Sequence, residues 1–196
     1  SLNEKRSMVI VNNFTISTVD DLKFRITNIP DEREFEIEPG CKKEIVIEFV
    51  AVGFFDEMPL AVFEANNEPV KVNIPIIFPR WIKEKEMDKD TFLSRWNAIN
   101  DSNNSAFVSL VIPDGDVMSS VKVLAKKTFG LEPLNIELPD NIFVMCGVFK
   151  CLNNSIGFLL RFVFNEREND LSLMIKTTSP VAIDILKKRA YNAFIL

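Results

Sequence analysis

Along the first 80 residues, apolar and polar positions alternate in short runs. Segments 7–11 (SMVIV), 22–28 (LKFRITN), 34–38 (EFEIE), 43–51 (KEIVIEFVA), 58–65 (MPLAVFEA) and 69–77 (PVKVNIPII) largely follow a period of two. That is the rhythm of a strand with one buried face. Turn-forming stretches such as NIPDE, EPG and ANNEP lie between them. With no helical stripe anywhere in this half, the pattern predicts a small antiparallel β-sandwich over residues 1–80. Six strands is lean for such a fold, so either the sandwich is reduced or the sequence starts inside it.

From residue 81 the rhythm changes. Pro79 stops the last strand, and residues 87–99 (MDKDTFLSRWNAI) carry a helical stripe of Phe92, Trp96 and Ile99, with Leu93 at its edge. Asp88 is placed to cap this helix and Asp90 to meet the positive end of its dipole. A strand at 106–112, a helix at 116–128 and strands at 141–151, 155–164 and 170–177 follow. A closing helix over 179–196 has Ser179 as its cap and Pro180 at its first position. Residues 81–196 therefore read as an α+β platform with antiparallel strands.

The last three strands also suggest a register. A four-residue loop at 165–168 sets Phe162 opposite Leu171, and a turn at Asn153–Asn154 sets Met145 opposite Phe162. One face then collects Phe143, Met145, Phe149, Phe158, Leu160, Phe162, Phe164, Leu171, Leu173 and Ile175, the predicted core. Arg161 points the other way, with Val144, Cys146, Val148, Leu159, Val163, Ser172 and Met174, and Lys150 and Lys176 lie at one end of that face. A guanidinium on a mostly apolar face needs a partner or a use. Either a carboxylate from a covering element pairs with it, or it waits for an acidic ligand whose aromatic groups the apolar surroundings take up.

Composition narrows the choices. With 47% hydrophobic residues, 17 of them Phe, the 196-residue chain can bury a substantial core. No apolar run approaches the roughly 18 residues of a membrane span, and the N-terminus lacks the layout of a signal peptide. The net charge is −5; residues 1–80 hold 14 acidic and 9 basic side chains, and residues 81–196 hold 14 of each. An acidic chain without a basic cluster argues against nucleic acid and against direct membrane insertion or lipid attachment. Three cysteines without metal-ligand spacing point to a reducing compartment and no metal site. The absence of histidine and of any Gly-x-Gly loop argues against an enzyme, and no cofactor is expected.

Several segments carry a resemblance. EMDKDTFLSRW (86–96) is similar to the F-F-x-R-W helix that opens the platform of the α-adaptin appendage, the ear of the plasma-membrane clathrin adaptor's large subunit. SIGFLLRF (155–162) and LSLMIKTTSP (171–180) resemble that family's IG-x-LLR and L-x-L-R-T-S strands. Residues 54–77 resemble its last sandwich strands. The likeness covers roughly residues 8–190 and is weak in the first 50. It implies about two strands missing before residue 7. It also implies an immunoglobulin-like β-sandwich joined to a platform with a five-stranded antiparallel sheet flanked by helices.

The resemblance further implies a function. Such ears recruit endocytic accessory proteins through short motifs of the Asp-Pro-Phe/Trp and Phe-x-Asp-x-Phe type, and meet the other adaptor subunits through the parent chain. They act in the cytoplasm, at plasma-membrane coated pits. By motif match, the implied peptide-binding residues are Trp96, Arg161 and Lys176, with two departures: Leu93 where the family has an aromatic residue, and Ser172 where it has a second arginine. Losing that cation is expected to weaken acidic motifs tenfold or more, or to shift preference to less acidic ones, since a charge-assisted hydrogen bond contributes about 1.5–3 kcal/mol. A β-adaptin or coatomer ear, or a structural module with a decayed pocket, are the alternatives.

Overall fold

The computed structural model describes residues 8–17, 24–28, 31, 33–55, 59–75, 78–111, 118–165, 168 and 170–194. They fall into two compact units, one within residues 1–76 and one within 77–196.

In the first unit the alternating runs form strands β1 (Val9–Ser17), β2 (Phe24–Asn28), β3 (Phe35–Ile37), β4 (Glu48–Ala51), β5 (Leu60–Ala65) and β6 (Glu68–Asn73). All pairings are antiparallel, in a four-stranded sheet ordered β3-β1-β5-β6 and a two-stranded sheet of β2 and β4. β1 runs six residues beyond the expected end at Val11. Asn13 takes a left-handed backbone (φ 55°) and makes a bulge, after which pairing with β5 resumes at Thr15. β4 is shorter than its apolar run, because residues 43–47 join no ladder. Val9, Val11 and Ala65 are buried together, with Phe35, Ile37, Phe63 and Val70 packed against them.

The second unit holds β7 (Ile82–Glu84), α1 (Lys89–Ala98), β8 (Ser105–Val111), α2 (Met118–Phe129), β9 (Ile142–Lys150), β10 (Ser155–Asn165), β11 (Asp170–Thr177) and α3 (Val181–Phe194). Its sheet is antiparallel, in the order β7-β9-β10-β11-β8. β7 escapes the periodicity reading because three residues are too few to show a period. Together the two units give the expected mixed architecture, a β-sandwich and an α+β platform.

The face assignment of the platform strands holds, but the register is displaced by two residues. Phe162 pairs with Leu173 rather than Leu171, and with Phe143 rather than Met145. The reason lies in the turns. Asn165 still pairs with Asp170, so the loop is 166–169, one residue later than expected. Cys151 N donates to Asn154 O, so the other turn falls at 152–153, one residue earlier. Moving a turn by one residue changes each pairing by two, which leaves every side chain on its own face. Arg161 consequently sits opposite Met174, not Ser172, and Ser172 sits opposite Val163.

All ten expected core residues are buried. Phe162 is their hub: its ring stacks on Phe143 at 4.4 Å and meets Phe129 of α2 and Phe194 of α3 at 6.2 and 6.3 Å. Both helices therefore cover this one face. Gly147, on the same face, pairs with Phe158; a Cβ there would lie 2.7 Å from the Phe158 ring. The opposite face carries a second buried cluster of Val144, Cys146 and Leu159 beneath Phe92 and Trp96 of α1. That second face holds the candidate site.

Candidate functional site

Helix α1 forms where its caps allow. The Asp88 carboxylate accepts from Thr91 N at 2.7 Å, and this bond holds its carboxyl below the usual range. Four residues apart, Phe92 and Trp96 fall on one side of the helix and stack with their centroids 5.6 Å apart, tilted by 22°. Both are buried in the sheet-facing cluster. Leu93, one position round the helix, is 42% exposed.

At its C-terminal end α1 is held by Lys176. The ammonium donates to Trp96 O at 2.7 Å and Ile99 O at 2.9 Å and lies 5.0 Å from the centre of the Trp96 ring. The last carbonyls of a helix lack intrahelical donors and carry the negative end of its dipole, so a lysine there meets both needs. Lys176 thus positions the tryptophan from below.

Between α1 and the sheet lies a recess of about 190 Å³. Lys89, Phe92, Leu93 and Trp96 form its helix side, and Val144 and Arg161 its sheet side. Ile142, at the start of β9, adds to the sheet side, and Ile136, Leu138 and Pro139 close the third side. Among the described residues, two cations and no carboxylate line this space. Among the described residues, no carboxylate lies within ion-pair distance of Arg161, whose side chain is half-buried. The covering element that was one of the two expectations for Arg161 is present, but it supplies no described acid.

Of the five residues singled out in the sequence, the recess brings together Trp96, Arg161 and Leu93. Ser172 and Lys176 share the face but do not line it. Sequence reasoning missed the third wall. Leu134, Ile136 and Leu138 alternate with polar residues in a stretch that is neither helix nor ladder strand, anchored by Leu134 N donating to Val144 O at 2.8 Å. That alternation was the available signal.

A larger recess, about 630 Å³, opens on the other side of the same segment and has the opposite character. Glu84, Glu86, Asp88 and Glu132 line it with a single lysine, Lys85. Cys146 is on its floor, where burial pushes the thiol up to about 11 against the opposing pull of Arg95 and Lys85. Such a thiol is protonated at neutral pH and a poor nucleophile.

The helix and the IG-x-LLR strand thus meet around one cationic recess. Residues 80–194 match the family described as Alpha adaptin AP2, C-terminal domain. The chain belongs to this family. No curated protein matches the chain. The family is one of non-catalytic adaptors in membrane trafficking, and its appendages bind adaptor complexes and accessory proteins. The match covers the whole recess, from Lys89 to Arg161. Among the described residues, no helix is long and apolar enough to cross a membrane.

Proposed function

We propose that this α-adaptin appendage recruits endocytic accessory proteins in clathrin-mediated endocytosis by binding short acidic-aromatic motifs at the platform recess. It does so in the cytoplasm, peripheral to the plasma membrane at coated pits, tethered to the other adaptor subunits through the parent chain. The observation that carries this reading is the cation without a described counter-ion at an apolar recess: Arg161 beside Phe92 and Trp96, with Lys89 across from it. A motif aromatic fills the recess beside Leu93, and the neighbouring carboxylate takes the guanidinium in a bidentate fork. Exposed Leu93 gives an apolar contact without ring stacking, so the first subsite accepts aromatic and large aliphatic residues alike.

Titration calorimetry with a Phe-x-Asp-x-Phe peptide tests this. Trp96→Ala is a poor probe, because Trp96 is a core residue whose truncation costs about 3–5 kcal/mol of stability. Arg161→Glu and Leu93→Ser act on the mouth instead. Both variants are expected to weaken binding at least tenfold with the melting temperature nearly unchanged. Equal affinities for the wild type and both variants would remove the recess as the site.

A further inference from the structure

Among the described residues, the sheet edges are guarded with one exception. Edge strands β3 and β7 are three residues long and charged, with Glu36 in one and Lys83 and Glu84 in the other. β6 carries Glu68, Pro69 and Lys71, and the small sheet carries Arg25 and Glu48. Short length, charge and proline all discourage pairing with another chain. β8 ends the platform sheet with seven residues, SAFVSLV, free of charge, proline and glycine, and its Phe107 is 62% exposed. The direction of its backbone groups follows from the ladder. Phe164 N donates to Asn141 O, so even-numbered residues of β10 turn toward β9 and odd-numbered ones toward β11. Carried through the pairs Arg161–Met174 and Leu173–Val108, this alternation turns Val108 toward β11 and Phe107 and Ser109 outward. Among the described residues, no hydrogen bond meets the N–H or C=O of Phe107 or Ser109. Ser105 also turns outward, but its N–H donates to Ser102 O, which leaves its carbonyl. Unpaired strand groups of this kind are met by another strand.

We propose that β8 pairs with β8 of a second copy of this chain, antiparallel about a two-fold axis at Phe107. The segment from Ser105 to Ser109 names this occupant. Serine, apolar, aromatic, apolar, serine reads the same in both directions, which is the self-complementarity an isologous contact requires. Phe107 then pairs with its own counterpart, and Ser105 with Ser109 of the other copy. About four backbone hydrogen bonds form, two between the phenylalanines and one from each Ser109 N–H to a Ser105 carbonyl. The two exposed rings cover each other, and an uncharged strand sets no like charges directly opposite. At each end the Asp101 and Lys176 side of one copy faces the Asp170 side of the other, so the flanking charges are of both signs; Asp170 already accepts from Ser109 Oγ at 2.9 Å. Faces are kept across such a pairing, so both recesses open on the same side. The two Arg161 positions stand five strand separations apart, about 24 Å at about 4.8 Å each. A contact this small falls below the roughly 1,200 Å² of a standard interface, so the dimer is weak.

Sedimentation equilibrium on the whole chain, from about 10 μM to about 1 mM, is expected to show a monomer–dimer equilibrium. Phe107→Lys sets two ammonium groups opposite each other, and Ser109→Pro deletes an outward N–H while leaving the bonds to β11. Each is expected to weaken the dimer about tenfold or more with the melting temperature nearly unchanged. Val72→Lys, at an exposed apolar position of β6, is expected to leave it unchanged. Oxidation in a Cys41→Ser background, which removes the exposed native thiol, reads the register. A mixture of Ser105→Cys and Ser109→Cys chains is expected to cross-link well, and either chain alone poorly. A monomer at the highest concentration would overturn the pairing and leave the edge to a strand of another protein. A dimer that survives either edge variant would overturn strand addition at Phe107, and equal cross-linking of the single variants would overturn the register.

Discussion

Two cations on one sheet face, Arg161 and Lys176, have opposite circumstances. Lys176 is already used, since two helix-end carbonyls and an indole face take up its ammonium. Arg161 has no such engagement with a described carboxylate and lines the recess. Their substitution should therefore separate stability from binding. Lys176→Met keeps the aliphatic stem but removes charge-assisted hydrogen bonds, so it is expected to lower unfolding free energy by about 1.5–3 kcal/mol. Peptide affinity should fall less than twofold, against tenfold or more for Arg161→Glu. Denaturant unfolding paired with calorimetry measures both. A large affinity loss with unchanged stability for Lys176→Met would make that lysine a ligand contact after all. The corrected register also revises the expectation for Ser172, which is diagonal to Arg161 rather than opposite it. An arginine there reaches the ligand only as an exposed cation. Such a pair contributes at most about 1 kcal/mol, or fivefold, rather than the tenfold expected from an adjacent pair.

At the level of elements, α1 matters most because it carries four of the recess residues and its N-terminus depends on one side chain. Asp88 is wholly exposed, and its hydrogen bond to Thr91 N lowers its pKa. A carboxyl with a depressed folded-state pKa stabilises the fold above its unfolded value of about 3.9. That contribution is lost as the pH falls through the folded-state value. Asp88→Ala is accordingly expected to melt below the wild type at pH 7, with the gap closing below about pH 4. Thermal melts of both proteins across pH 3–7 test this, and parallel curves would deny the cap its role. This cap was legible in the sequence because capping is a local matter of four residues. The faces of β9, β10 and β11 were legible too, because period two survives any even slip. Register was not, since it depends on where each turn closes, and neither NERE nor LNN contains a residue that fixes the closure. The first strand outruns its period of two for another reason: pairing on both sides of Asn13 holds it as a bulge. Nor did the sequence reveal that the helix end would capture Lys176, 77 residues away from Ile99.

Across the whole molecule, every described residue that lines the recess lies within the second unit. That unit spans 120 residues, 77–196, and has its own core between the sheet and helices α2 and α3. A domain of about this size buries enough apolar surface to fold alone. The acidic excess of the chain falls in residues 1–80, while residues 81–196 are balanced. The cations that line the recess, Lys89 and Arg161, both belong to the second unit, and their attraction for a carboxylate is screened by salt. Residues 77–196 expressed alone are accordingly expected to unfold in one cooperative transition and to bind the Phe-x-Asp-x-Phe peptide within twofold of the full chain. Affinity should fall with added salt by the same factor in both proteins, because the same cations meet the same carboxylate. Calorimetry at low and physiological ionic strength, beside thermal melts, measures each part. A fragment that melts cooperatively but binds tenfold more weakly would show that the recess needs the sandwich, and would move the recruiting surface beyond the residues assigned to it.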